Sequence, residues 1–176
     1  MTLLSTQTAS SSATISFTSG IDSTYKEYVF KFYDIHPATD EQSLSFQADT
    51  GTNTSYNQTM TSTVFFAQHA EDDTTTELTY STGRDQAQGT SFQKITVDAG
   101  NANDESVAGY LHLYDPSSTT FVKHFYAGSS SPTNGTHAAN NYTAGYFNTT
   151  TAITRVQFKM DSGNIDSGTF KLYGVS

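Results

Sequence analysis

A two-residue rhythm constrains this chain more than any other feature. Bulky apolar residues recur at alternate positions in segment after segment, with Thr, Ser or a charged residue between them. Ile15 and Phe17 open the series, followed by Tyr28, Phe30 and Phe32 with Lys31 set between, and by Leu44, Phe46 and Ala48. Val64 and Phe66, Ile95 and Val97, and the run Val107, Gly109, Leu111 and Leu113 continue it. Phe121 and Phe125 around Lys123, then Val156, Phe158 and Met160, then Phe170 and Leu172 complete it. Successive strand side chains point to opposite faces, so this pattern specifies antiparallel strands with one dry and one wet face. No segment sustains the i, i+3, i+4, i+7 spacing of an amphipathic helix, and helix is expected to be minor.

The breaks carry turn chemistry. Pro37 and Pro116 sit in His36-Pro37-Ala38-Thr39-Asp40 and Asp115-Pro116-Ser117-Ser118, where a fixed φ starts a turn. Asp49-Thr50-Gly51, Asp98-Ala99-Gly100-Asn101 and Asp161-Ser162-Gly163-Asn164 supply residues that tolerate left-handed geometry. About ten short strands at this spacing, with no linker and no internal repeat, predict an all-β fold. The expected form is a single antiparallel β-sandwich, jelly-roll-like, over residues 14–176. The polar stretches Glu71 to Thr76, Gly83 to Gly89 and Gly128 to Asn141 are expected as excursions from it. Ahead of the sandwich, Thr2 to Ser12 is almost all small and polar apart from Leu3 and Leu4. Residues 1–13 therefore read as a short extended arm laid on a partner surface, with Leu3, Leu4, Thr6 and Thr8 as its contact residues.

Composition narrows the function. With no cysteine in 176 residues, disulfides, thiolate nucleophiles and cysteine-based metal sites are excluded. A net charge of −9, with only eight Lys and Arg, argues against a nucleic-acid partner, because no broad basic groove can be built. No apolar run approaches the roughly 20 residues of a membrane-spanning helix, so no membrane partner is expected. Met1 to Ser5 lacks the basic residue and apolar length of a secretory signal, so synthesis without classical export is expected. Aromatic residues at 13% supply ample material for a core.

Candidate chemistry is sparse. None of the five histidines has a diagnostic ligand spacing, and they read as strand-face or loop residues beside solvated carboxylates. Asp98, Asn101, Asn103, Asp104 and Glu105 crowd one oxygen-rich turn, a weak candidate calcium loop that departs from the EF-hand pattern. There is no G-x-S-x-G elbow, P-loop or G-x-G-x-x-G, and neither an enzyme nor a cofactor is expected. Tyr142 and Tyr146 flank the Gly128 to Asn141 stretch, and with Asn141 they form a candidate glycan-binding set. The alternative is that Tyr146 and Phe147 pack in the core. Five N-x-S/T sequons, at Asn53, Asn57, Asn134, Asn141 and Asn148, read as composition rather than glycosylation.

Three stretches belong together: Phe17 to Asp40 (FTSGIDSTYKEYVFKFYDIHPATD), Ser118 to Phe125 (STTFVKHF) and Ala144 to Val175 (AGYFNTTTAITRVQFKMDSGNIDSGTFKLYGV). They resemble the virion-associated β-sandwich structural proteins of tailed, often marine, bacteriophages, whose closing strands carry an SGN turn and a G-T-x-x-L-Y-G pattern. The resemblance implies a structural protein of the virion, made in the host cytoplasm and mounted on the capsid or the tail. Its expected role is a capsid decoration (cement) protein that binds the major capsid protein and stabilises the shell. A homotrimer would suit three-fold lattice positions. The alternative is a tail or fibre adhesin that recognises host-surface glycans.

Overall fold

The computed structural model describes residues 1–133 and 136–176. Strands dominate it, and no helix occurs among the described residues. In chain order they are β1 (Thr2–Ser12), β2 (Ile15–Phe17), β3 (Glu27–Pro37), β4 (Leu44–Thr50), β5 (Met60–Ala70) and β6 (Thr76–Tyr80). They continue with β7 (Gln93–Lys94), β8 (Val107–Tyr114), β9 (Lys123–Thr133), β10 (His137–Phe147), β11 (Ile153–Met160) and β12 (Ile165–Val175). Eight form one antiparallel sheet in the order β1-β12-β3-β8-β9-β10-β5-β6, and four form a second in the order β2-β11-β4-β7. The fold is thus an all-β sandwich. A jelly roll carries eight strands in two Greek keys; here twelve strands divide eight and four, so sandwich is the description that the strand order supports.

The dry phase of the alternation closes the sandwich. Phe17 of β2 meets Phe30 of β3 edge-on at 5.2 Å, Phe46 of β4 meets Phe125 of β9 at 5.1 Å, and Phe158 of β11 meets Phe170 of β12 at 5.1 Å. Each contact joins the small sheet to the large one. Edge-to-face and tilted pairs of this kind add to the gain from burying the rings themselves.

The small sheet is covered on its other side as well. Every residue of β4 is buried, including Ser45, Gln47 and Asp49 in its polar phase. Loop segments satisfy these groups: the Gln47 side-chain amide donates to the carbonyls of Gln58 and Thr90, and Asp49 accepts from the Tyr56 backbone and the Gln58 amide. Among the described residues no strand layer lies on the outer side of the large sheet, so its two sides differ in environment.

Two expectations change here. The segment expected as an arm is the edge strand β1, paired antiparallel with β12 from Thr2 opposite Gly174 to Ser12 opposite Ile165. Extended backbone needs partners for its N–H and C=O groups, and β12 supplies them from within the same chain. Of the Gly128 to Asn141 stretch, expected as an excursion, residues 128–133 and 137–141 instead lie in strands β9 and β10, paired from Lys123 opposite Phe147 to Thr133 opposite His137. Its inward residues are polar because they meet loop carbonyls: the Ser129 hydroxyl donates to the Ile95 carbonyl at 2.7 Å. The sequon at Asn134 lies outside the described residues.

Candidate functional site: the outer face of the large sheet

On β3, Tyr28, Phe30 and Phe32 point inward, so Val29, Lys31 and Tyr33 point out. Antiparallel partners directly opposite share a face, and the register therefore builds rows across the sheet. One row runs Thr6, Lys171, Lys31, Tyr110, Gly128, Tyr142, Phe65, Tyr80. A second runs Leu3, Tyr173, Val29, His112, Tyr126, Ala144, Thr63. A third carries Thr8, Thr169 and Tyr33 up to the β3 bulge, and resumes with Ala108, Ser130, Asn140, Ala67 and Leu78. These rows contain tyrosines, small residues and hydroxyl-bearing side chains, and no Asp or Glu.

The rings are organised. Tyr142 stacks on Phe65 at 5.1 Å and 22°. Tyr110 stands edge-on to His112 at 5.1 Å and lies 6.2 Å from Tyr126. His112 stacks on Tyr114 at 6.0 Å and pairs through Nδ1 with the Glu27 carboxylate. Gly128 makes room for this packing, because a Cβ there would stand 2.7 Å from the Tyr110 hydroxyl oxygen. Burial, then the neighbouring Glu27 charge, pushes the Tyr114 phenol up from its ordinary value. Burial followed by Tyr110 does the same to Tyr126. Both phenols are therefore protonated hydrogen-bond donors at neutral pH.

Between the aromatic ridges lie shallow troughs. One, about 470 Å³, runs over Ala67, Ala138, Asn140 and Ser130 beside Leu78 and His69. A second, about 340 Å³, is floored by Gly109, Gly128 and Ser130 and walled by Tyr110 and Tyr142. Ser130 and Asn140 belong to both, so the two are continuous. A third, also about 340 Å³, lies between His124 and Tyr146 over Thr63 and Ala144.

The residues singled out in the sequence separate on this frame. Tyr142 and Tyr146 stand on the outer face, and so do Thr6 and Thr8, in rows with Lys171 and Thr169. Asn141 does not: strand parity turns it inward, where it is buried and its amide donates to the Thr143 hydroxyl at 3.0 Å. It can meet no glycan on this face, and burial removes its sequon from the surface. Leu4 packs against the chain's own core, while Leu3 is exposed opposite Tyr173. The oxygen-rich turn does not converge. Asp98 pairs with Arg84 at 2.8 Å and accepts from Ser43, and Glu105 folds back to accept from the Ala102 backbone at 2.7 Å. Among the described residues no three His, Cys, Asp or Glu side chains converge to hold a metal ion.

Sequence reasoning missed Lys31, Lys171, Tyr110, His112 and Tyr126. The available signal was aromatic content in the wet phase: Tyr110, His112 and Tyr114 alternate with Leu111 and Leu113.

Comparison with protein-family models, with curated proteins and with solved structures finds no match to this chain.

Proposed function

We propose that this chain is a structural protein of a phage particle that acts by adhesion, and that its adhesive surface is the outer face of the large sheet. The observation that carries the reading is the uncovered set of rows in which tyrosine rings border continuous troughs. Aromatic faces stack on the apolar faces of sugar rings, while phenol, serine and asparagine groups hydrogen-bond hydroxyls. Of the two partners expected from the sequence, a host-surface glycan suits this face best, which makes the chain a tail or fibre adhesin. A glycan array tests it. Reproducible binding by the intact chain that Tyr142→Ala abolishes is the expected result, and an array with no binding refutes the reading.

Capsid decoration is the second reading, and β1 favours it. This edge strand has eleven residues, none of them charged, and is hydrogen-bonded in the sheet on one side only. Edge strands are normally protected by charge or proline, and an unprotected one is a template for strand addition. The major capsid protein, or a second copy within a homotrimer, would supply the added strand. Copy number on purified particles decides between the readings, since a cement protein scales with the shell and an adhesin with the tail.

A further inference from the structure

The outer face carries one arrangement that packing does not explain. Lys31 and Lys171 stand directly opposite each other on β3 and β12, and like charges in that position repel. Neither has a carboxylate within ion-pair distance among the described residues, although the chain holds 17 Asp and Glu. Each ammonium lies over a tyrosine of the same face instead: Lys31 is 5.7 Å from the Tyr173 ring centre, and Lys171 is 5.8 Å from that of Tyr33. Of the two carboxylates on β3, Glu27 is taken by His112, and Asp34 is exposed at the bulge beside Tyr33. Two cations oriented by aromatic rings and free of ion-paired carboxylates, on an acidic protein, form a local receptor for negative charge.

We propose that the large sheet binds an acidic polysaccharide, with its carboxylate or sulfate groups paired to Lys31 and Lys171 and the adjoining sugar rings lying across the strands toward Tyr110 and Tyr142. This rests on the glycan reading and names the class of glycan. The lysines and the two tyrosines share one row, and β3 to β10 spans three strand spacings, about 14 Å. That is a track for several linked rings rather than for a single ion. Tyr110 packs over Gly128, and Ser130 and Asn140 line the trough beside the two tyrosines. Sparse charge followed by flat apolar surface and hydroxyl partners is the pattern of a charged sugar polymer. A nucleic acid has a charge at every residue, and a −9 particle with two cations on this face repels it. An acidic peptide lacks the flat apolar faces that the tyrosines are placed to stack on.

The test uses the intact chain with two immobilised polymers, polygalacturonate for carboxylate and dextran sulfate for sulfate, and with poly-glutamate as competitor. Binding to at least one polymer is expected, weakening as salt rises. The Lys31→Gln/Lys171→Gln double variant should bind at least about tenfold more weakly, and Lys31→Arg/Lys171→Arg should retain binding. Relief of the Lys–Lys repulsion should leave the glutamine variant melting at or above the wild-type temperature, which separates lost charge from lost fold. The proposal is overturned if neither polymer binds, if the glutamine variant binds like wild type, or if poly-glutamate competes as well as the sugar polymers. Binding to neutral glycans through Tyr142 with no response to either acidic polymer would overturn this proposal alone and leave the glycan reading standing.

Discussion

The two faces of the eight-stranded sheet are both aromatic, yet they do opposite work. Inward, β3 presents Tyr28, Phe30 and Phe32, which are buried against the small sheet. Outward, the same strand presents Val29, Lys31 and Tyr33, within a surface of Tyr110, Tyr126, Tyr142 and Tyr146. The difference is largely a hydroxyl. A phenylalanine ring loses nothing when fully desolvated, whereas a tyrosine must keep its phenol in water or find it a partner. The one inward tyrosine on β3 follows the rule. Tyr28 donates to the Asp22 carboxylate at 3.0 Å and accepts from the Asp22 backbone N–H at 3.0 Å. The comparison teaches that aromatic content alone does not mark a core; the polar tip decides which rings hold the fold together and which are left to meet a partner.

The sharpest way to break this division is to exchange a ring on each face. Phe158 lies within ring-contact range of Phe17, Phe30, Phe32, Phe46 and Phe170. Phe158→Ala should cost about 3–5 kcal/mol in urea denaturation, because the cavity it leaves is surrounded by rigid rings. Tyr142→Ala should cost only about 1 kcal/mol, for the loss of its stack on Phe65, while removing glycan binding. If the two substitutions cost the same, the outer face serves stability rather than recognition.

Smaller effects probe the tyrosine that breaks the pattern. Tyr28→Phe leaves the ring in place but deprives Asp22 of its phenol partner, and should cost about 1 kcal/mol in the same denaturation assay. Asp22 then gives a pH signature. Its carboxyl is held below the ordinary value of 3.8, chiefly by the Thr24 hydroxyl, then by the Thr24 backbone N–H and the Tyr28 phenol. A depressed carboxyl pKa adds stability above the unfolded value, about 3.9, and that stability is lost as pH falls through the folded value. The melting temperature should therefore drop below about pH 4, and Asp22→Asn should make that drop shallower. Asp22 is exposed, so this is the smallest of the changes expected.

Much of the strand framework was legible because the dry phase is carried by Phe, Ile, Leu and Val at alternate positions. β1 was not, since Thr2 to Ser12 has no bulky alternation and becomes a strand only because β12 pairs with it. The β9–β10 region was hidden for a different reason. Both phases of Gly128 to Asn141 are polar, and the inward phase is stable only where the Ile95 and Lys94 carbonyls receive Ser129 and Thr143. The candidate site was half legible. Tyr142 and Tyr146 stood out as aromatic residues beside a polar run, but neighbouring Asn141 was grouped with them although strand parity sends it to the other side. The oxygen-rich turn misled in the opposite direction, because proximity along the chain says nothing about where Asp98 and Glu105 find their partners.

By itself, the sequence determined that this chain is a sheet protein, where many of its strands lie, and which phase is dry in the strands that carry bulky alternation, because side-chain alternation is a local property of extended backbone. Only the tertiary structure decided that Thr6, Lys171, Lys31, Tyr110 and Tyr142 form a single row. Register between strands distant in sequence is set by the packing of the opposite, buried face. Sliding any strand by one residue would bury its polar phase, so the Phe-rich core fixes the outer surface that it never touches.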